Sequence, residues 1–496
     1  MTGEFERSSS SATGLWLVIG LLAAIAGFKL VNDTLDPDCF WHLRVAEQLQ
    51  REGIGPIVDR LSFASIKTPW TPYSWLAELG MKRLWDLGGY QLAVVVSALL
   101  GSAFVMLVAL GCAQVAGAQR RFNIVIATAL AACLSLPYLS FRPATAAMVL
   151  LALCVWLMLR DRRLKERSRG VWLVIPITAL LVNVHLVAMI VPLLLGCLLV
   201  GAMIENADGA HRVRRYGLLL IASGAACLLT PMLPGVAGAV WDYQFSDVMV
   251  ASGTIEEMQP IYRTARGAMI VLVSAVLMAL AIWNGRRVRG GEWLSFAVGA
   301  VLLLRLGRFA PVFAILAAPV LASALPALPD IVLSRRVVQW GAACGMALIL
   351  MYTVILLPGR HERLDVWLNR NGEGSFGYPC GAAEFVQQNV HPATGRIINE
   401  FTWGGYLCWR FSDRYQVFVD GRTQLYSAEF WRSTYLCDDA TRAPTLAAVR
   451  ADAAVLPVGD SVFRAALVEL GWTSAYRDQR AEVMLPPNGG SANANQ

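Results

Sequence analysis

The chain has 496 residues, 56% of them hydrophobic and 16% charged, with a formal net charge of +7 and a mean hydropathy of +0.52. Soluble proteins carry about a quarter charged residues; that deficit, with apolar runs of about 20 residues recurring along the chain, excludes an ordinary soluble fold and indicates a polytopic membrane protein. The excess positive charge falls in short clusters between apolar runs, the pattern of cytoplasmic loops, and gives no reason to expect a nucleic-acid partner.

The first apolar run, Leu15–Val31, is followed by no small-residue cleavage site and reads as a retained span entering from the cytoplasm. A loop over residues 32–89 follows on the far side. It carries extended stretches near Asp59–Phe63 and Pro69–Pro72, then a helix whose apolar side (Trp75, Leu79, Trp85) suits the membrane interface. Further spans are expected at Gln91–Cys112, Phe122–Tyr138 and the run ending in the basic cluster Arg160–Arg167. Trp172–Ile204 is too long for one span and short for two, so it reads as two short spans meeting at Asn183-Val184-His185. The chain returns to the cytoplasm at Arg212, Arg214 and Arg215, then leaves by Thr230 for a loop from Pro231 to Arg266. Met269–Trp283, Trp293–Arg308, Pro311–Leu325 and Val337–Leu357 complete about eleven spans, which put every basic cluster inside and the tail outside.

The tail is different material. Short β-rich runs at Arg396–Ile398, Gln416–Val419, Ala453–Leu456 and Glu482–Leu485 alternate with helices over Gly381–Asn389, Ala428–Tyr435, Thr445–Ala451 and Val462–Leu470. That alternation predicts a small soluble α/β layer domain. The expected organisation is a transmembrane domain over residues 1–357, an outer domain over 358–486 and a disordered tail over 487–496. Of ten cysteines, six lie in or beside apolar runs as small hydrophobes. Cys39, Cys380, Cys408 and Cys437 lie outside the membrane, where a Cys408–Cys437 disulfide is one option; no spacing suggests zinc.

Asp36-Pro37-Asp38-Cys39-Phe40-Trp41-His42-Leu43-Arg44 is the most informative stretch, because ionisable groups at the mouth of a span are costly to keep near lipid. Asp38 has two readings. It caps a helix starting at Cys39, with Arg44 as a surface partner; or it is a base or metal ligand, stacked with His42 and Val45 on one helix side. Thr254-Ile255-Glu256-Glu257 is a second acidic stretch on the same aqueous side, and oxygens from two such loops suit Mg²⁺ or Mn²⁺. Arg305 and Arg308, late in an outward span, suit a phosphate, as Arg142 and Arg263 near outer loops do. Snorkelling is the competing reading of Arg305 and Arg308, and packing of a helix turn that of His185. In the tail, Trp403, Tyr406, Asp420 and Arg422 follow two strands, and either form a carbohydrate or peptide surface or pack the domain.

Asp38-Cys39-Phe40-Trp41-His42-Leu43-Arg44 resembles the first external loop of oligosaccharyltransferase catalytic subunits, in which an aspartate precedes an aromatic pair and an arginine follows. Thr254-Ile255-Glu256-Glu257 is similar to that family's Thr-Ile-x-Glu motif, and Trp403-Gly404-Gly405-Tyr406 to a worn Trp-Trp-Asp-Tyr-Gly motif. More broadly the chain resembles the glycosyltransferase C (GT-C) superfamily of polytopic helical membrane proteins. The resemblance implies Asp38 and Glu257 as catalytic and metal-binding carboxylates. It implies Arg308 and Arg305 for the donor phosphate, with His42 and Arg44 serving that phosphate or supporting the loop, and Trp403 and Tyr406 for the acceptor. Two features depart from the pattern: Ser140-Phe141-Arg142-Pro143 lacks the family's second acidic motif, and Gly405 stands nearest the missing acceptor-motif aspartate.

The implied function is transfer of a sugar from a polyprenyl-(pyro)phosphate donor to a glycan, lipid or protein acceptor on the outer face of a membrane, such as the bacterial inner membrane with the tail periplasmic. Mg²⁺ or Mn²⁺ is one option and metal independence another. The alternative is a catalytically eroded scaffold that handles lipid or polysaccharide. A transporter fits less well, since the chain has no internal repeat and a large terminal domain.

Overall fold

The computed structural model describes residues 2–117, 119–205, 209–241, 248–253, 255–284, 288–327, 331–370, 377–459 and 461–487. The expected disordered tail falls almost wholly outside them, as do Thr254 and the basic pair Arg286-Arg287. The chain divides into two compact units: Met1–Asn32, Ala93–Leu233 and Ile255–Leu357 form the first, and Asp33–Leu92, Pro234–Thr254 and Pro358–Gln496 the second. The loop expected to belong with the membrane domain is therefore part of the same unit as the tail.

Among the described residues seven helices are long and apolar enough to cross a membrane: Ser11–Asn32, Trp75–Ala116, Arg121–Tyr138, Pro143–Arg163, Leu186–Ile204, Gly307–Ala324 and Arg336–Ile355. Arg169–Leu181 and Gly267–Leu280 are apolar but shorter. Two further expected spans coincide with helices Gly209–Ala226 and Gly290–Arg305. The former takes Arg212, Arg214 and Arg215 into its own first turns, and the latter has only 16 residues. Helix Trp75–Ala116 is kinked at Gly89, where φ is +56°, a conformation that costs a side-chain-bearing residue and suits glycine.

The centre of the first unit is Ala310–Ala324, which packs against Arg121–Ser135, Gly290–Arg305, Ala265–Asn284 and Pro143–Arg163. Burial sorts the spans: the central span is 83% buried, whereas Arg336–Ile355, lying along Thr2–Asn32, is 6% buried and presents an apolar surface suited to lipid. The basic run at the end of Pro143–Arg163 is more than a marker of sidedness. Asp161 accepts from Arg215 at 2.9 and 3.1 Å, and Arg162 reaches Glu205 at 2.9 Å. Glu292 takes Arg163 at 2.9 Å, and Glu166 takes Arg289 at 2.9 Å and Arg212 at 3.1 Å. Asp161, Arg162 and Glu166 are fully buried, so their charges require these partners.

The second unit is built on a five-stranded mixed sheet in the order β4-β3-β5-β7-β6, after a short hairpin of β1 (Ile57–Val58) and β2 (Pro69–Trp70). Its strands are β3 (Arg396–Asn399), β4 (Gln416–Val417), β5 (Ala453–Pro457), β6 (Thr473–Arg477) and β7 (Ala481–Leu485). β3 pairs in parallel with β4 and β5; β7 pairs antiparallel with β5 and β6. The sheet extends one step further: Phe63 N–H donates to the Val417 carbonyl at 3.1 Å and Val417 N–H to that of Leu61 at 3.0 Å. Ile398, Phe418, Leu446, Leu456, Phe463 and Leu467 form the core beneath, with Phe63 stacked on Phe418 at 5.5 Å.

Asp161→Asn should destabilise the purified protein by about 1.5–3 kcal/mol, because it strips the half-buried Arg215 guanidinium of its counter-charge. Thermal unfolding in detergent tests this, and a Tm equal to that of the wild type would contradict it.

Candidate functional site

Asp38 opens a helix, Asp38–Glu52, whose N-cap is Pro37 and has no side-chain cap bond. The capping role expected of Asp38 falls instead to Asp36, whose Oδ1 accepts from the Asp38 N–H at 2.9 Å. Asp38 Oδ1 accepts from the Trp41 indole Nε1–H at 2.9 Å, one helical turn on. The preceding residues are pinned by Leu35: its N–H donates to the Tyr90 hydroxyl at 3.0 Å, and its carbonyl accepts from the Tyr378 hydroxyl. Phe40 is fully buried among Trp85, Tyr378, Tyr406 and Trp409, with ring centroids 5.0–5.8 Å away. Trp85, half-buried, also packs edge-on against Tyr90 and Trp409 of the same unit.

His42 and Arg44 both have partners within their own unit. His42 Nδ1 lies 2.9 Å from Glu78 Oε1, both side chains being buried. Arg44 contacts Glu47 and Asp413 and donates to Ser412 Oγ at 3.2 Å. Glu78 went unnoticed in the sequence; it is buried, one helical turn from the half-buried Trp75.

Arg422 is the hub of this unit. It donates through Nε to Asp420 Oδ1 at 3.0 Å, through a terminal nitrogen to Asp420 Oδ2 at 2.5 Å, and through the other to Asp59 Oδ1 at 2.7 Å. Its guanidinium lies over Trp41 and Trp70, 5.8 and 5.5 Å from the ring centroids. Asp59 also accepts from the N–H groups of Leu61 and Ser62 and the Ser65 hydroxyl. Burial alone would raise the Asp59 pKa, but the Arg422 charge and these donors outweigh it and hold the carboxyl below its ordinary 3.8.

The four residues expected to present an acceptor surface are instead interior. Trp403, Tyr406, Asp420 and Arg422 are 6%, 2%, 0% and 1% exposed. Trp403 Nε1–H donates to the Gly377 carbonyl at 2.8 Å, and the Tyr406 hydroxyl reaches Cys380 Sγ at 3.3 Å, so their polar atoms serve packing. Gly405 and Gly421 explain the glycine pattern. A Cβ on Gly405 would stand 2.3 Å from the Pro37 carbonyl oxygen, and one on Gly421 would stand 2.0 Å from Asp38 Oδ1. The position nearest the family's missing aspartate thus has no room for any side chain. Cys408 and Cys437 are free thiols, not a disulfide; Cys408 is buried, with its Sγ on the Gly405 carbonyl at 3.1 Å.

The first unit carries a different constellation. Glu257 lies in a short 3₁₀ turn, Glu256–Met258, with Oε1 3.5 Å from an Arg308 terminal nitrogen. Their side chains keep 34% and 27% of their surface accessible. Arg308 sits in the 3₁₀ turn Gly307–Phe309 at the head of the central helix and also touches Met258 Sδ at 3.0 Å. The two turns are joined by the Gly307 N–H, which donates to the Gln259 carbonyl at 2.8 Å, and Arg263 holds the Gln259 side chain at 2.6 Å. Arg142 directly precedes Pro143 of helix Pro143–Arg163, and the charges of both Arg142 and Arg308 act on Glu257. Burial would raise the Glu257 pKa; the two guanidiniums reverse this and hold it below the ordinary glutamate value.

His185 belongs to the same cluster. Its Nδ1 accepts from the Val187 N–H at 3.2 Å, which leaves the proton of the neutral ring on Nε2. Burial first, then the charges of Arg308 and Arg142, push its pKa down to about 3, so the ring is neutral. Arg305, by contrast, is exposed at the end of helix Gly290–Arg305. Arg142, a phosphate-suited cation by its place in the sequence, acts on the same carboxylate.

Comparison with solved structures bears on this arrangement. The archaeal oligosaccharyltransferase AglB from Archaeoglobus fulgidus, in complex with an inhibitory peptide and a dolichol-phosphate, matches with a TM-score of 0.55 and 12% identity, over 89% of this chain and 69% of that one. ArnT from Cupriavidus metallidurans bound to undecaprenyl phosphate matches with a TM-score of 0.52 and 12% identity, over 98% of this chain and 100% of that one. The chain has the fold of the GT-C superfamily. Neither protein-family models nor curated protein sequences give a match.

Within this GT-C fold the expected metal site does not fit the Glu257 cluster. Two guanidiniums act on that carboxylate, the reverse of what a divalent cation needs. Among the described residues no group of three or more His, Cys, Asp or Glu side chains comes together to hold a metal. The cluster suits an anion. Asp38 and Glu257 fall in different units, and each carboxylate has its own local partners.

Gly421→Ala and Gly405→Ala should each lower the Tm of the purified protein, whereas Gly80→Ala, with open space around the added carbon, should be neutral or stabilising by about 0.5–1 kcal/mol. The pH dependence of the Arg422 hub has a definite sign. Because the Asp59 pKa is depressed in the folded state, its stabilisation is complete above the unfolded value of 3.8 and is lost as pH falls through the lower folded value. The Tm difference between wild type and Asp59→Asn should therefore stay constant from pH 7 to about 4 and close only below that.

Proposed function

We propose that the protein is a membrane glycosyltransferase which moves a sugar from a polyprenyl-(pyro)phosphate donor to a glycan, lipid or protein acceptor on the outer face of a membrane, with about eleven spans. A bacterial inner membrane with a periplasmic tail suits the distribution of basic clusters. The observation that carries the reading is the Arg308 guanidinium at the head of the central helix, 3.5 Å from the Glu257 carboxylate, on which the charge of Arg142 also acts. Fixed cations of this kind stabilise the charge that develops on a departing phosphate. The lipid phosphates named with the AglB and ArnT structures support the same donor class.

In the proposed reaction an acceptor oxygen bonds to the anomeric carbon as the bond from that carbon to the donor phosphate oxygen breaks. The acceptor proton passes to a carboxylate, and the carrier phosphate leaves as an anion held by Arg308 and Arg142. Asp38 is proposed as a catalytic carboxylate on the strength of its motif. Glu257 is proposed to serve the donor site, because its carboxylate is paired with Arg308. The missing second acidic motif in Ser140–Pro143 favours the rival reading, a scaffold that binds polyprenyl phosphate without transferring sugar.

Purified protein in proteoliposomes, supplied with sugars linked to polyprenyl phosphate, separates these readings. Arg308→Gln should raise the donor KM by about 10- to 100-fold, the worth of hydrogen bonds to a charged group. Asp38→Asn should abolish turnover while leaving the Tm and donor binding in place. Donor binding without transfer for any sugar tested would establish the scaffold instead, and wild-type kinetics for Arg308→Gln would remove the donor site.

A further inference from the structure

Glu257 puts a negative charge into a cluster otherwise suited to holding one. This chain builds permanent carboxylate–guanidinium pairs differently. At Arg422 the contacts run from 2.5 to 3.0 Å and neither partner is accessible. At the far end of the first unit Arg162, Arg163 and Arg289 each have a partner at 2.9 Å, beside longer contacts of Arg162 with Glu292 at 3.4 Å and of Arg212 with Glu205 at 3.8 Å. Glu257 and Arg308 stand 3.5 Å apart, beyond the reach of a charge-assisted hydrogen bond, and about a third of the carboxylate side chain is accessible.

The mounting of Glu257 fits an exchangeable group. It sits in a three-residue turn, and the anchors lie on its neighbours: Met258 touches Arg308, and Gln259 is held by Gly307 through its carbonyl and by Arg263 through its side chain. The carboxylate can thus swing away while the turn stays attached. Without it, the charges of Arg142 and Arg308 would lose the carboxylate on which both act.

We propose that Glu257 is a built-in stand-in for the donor's phosphate, which keeps Arg142 and Arg308 in register between turnovers and is displaced when the lipid's phosphoryl group enters. This rests on the donor-site reading above. The charges give the exchange a direction. A sugar-phosphate diester carries one negative charge and matches the carboxylate it displaces. The carrier monophosphate left after transfer carries nearly two, so the returning carboxylate repels the product and promotes its release. An uncharged polyprenol cannot displace Glu257 at all.

The test uses the full-length protein in detergent with farnesyl phosphate as probe and farnesol as the uncharged control. Glu257→Gln should bind farnesyl phosphate about tenfold more tightly, since a like charge at contact distance from the phosphate is removed. Its Tm without ligand should fall, and its Tm rise on adding farnesyl phosphate should exceed that of the wild type. Glu257→Asp, which keeps the charge but draws it back by one methylene, should lie between the two, and this measurement stands if the glutamine variant does not fold. Unchanged or weaker binding by Glu257→Gln, together with weakened binding by Arg308→Gln, would overturn the stand-in and leave the donor site intact. Unchanged binding by both Arg308→Gln and Arg142→Gln would overturn the donor site and the stand-in together. Farnesol binding as tight as that of farnesyl phosphate would do the same.

Discussion

Arg422 has no access to water, so its charge must be met inside the protein. Asp420, two residues earlier, supplies one carboxylate, and Asp59, more than three hundred residues away in sequence, supplies the other. An ion of this kind is costly to bury and costlier to leave half-paired, so the second unit cannot form from the tail alone. The same contact fixes the backbone around Gly421 against Asp38 and lays the guanidinium on Trp41. The start of the Asp38 helix is therefore positioned by a residue from the far end of the chain.

The first unit handles charge by a different rule. Its ionisable groups gather at the ends of helices. One end of Pro143–Arg163 holds the pairs Asp161–Arg215, Arg162–Glu205 and Arg163–Glu292. Arg142, at the other end, belongs with Arg308, His185 and Glu257 in a cluster that is looser and reachable. A helix of 21 residues separates the two ends, about 30 Å at 1.5 Å per residue, which matches a hydrocarbon layer.

Much of this was legible in the sequence, where a single period or a single charge decided the matter. The broken helix at Asn183-Val184-His185 followed from a run too long for one span, and the structure shows a turn there between Val174–Leu181 and Leu186–Met189. β3, β5 and β7 showed as apolar runs. β6 did not, because Thr473–Arg477 is almost wholly exposed and has no apolar alternation. Helix Gly404–Phe411 was hidden by its two leading glycines, which are poor helix formers and are there to admit Val419 and Pro37. At the candidate site, Arg308 and Glu257 were visible as charges in unusual places. The partnership of Asp59 with Arg422, and the role of Asp36 as the cap, depend on contacts that no local pattern encodes. The buried state of Trp403 and Tyr406 was hidden for the same reason, since ring chemistry suits a binding surface and an interior equally well.

The strand-like pairing of Leu61–Phe63 with Val417 has a practical corollary. Residues from Pro358 onward look like a portable module by composition, yet on their own they would expose the bare rim of β4, with its amide and carbonyl groups open to any passing chain. They would also keep Arg422 with one counter-ion where it has two. Such an excised fragment is a template for self-association, and soluble, monomeric material is to be sought by fusing the segment around residues 57–70 to it, not by trimming further.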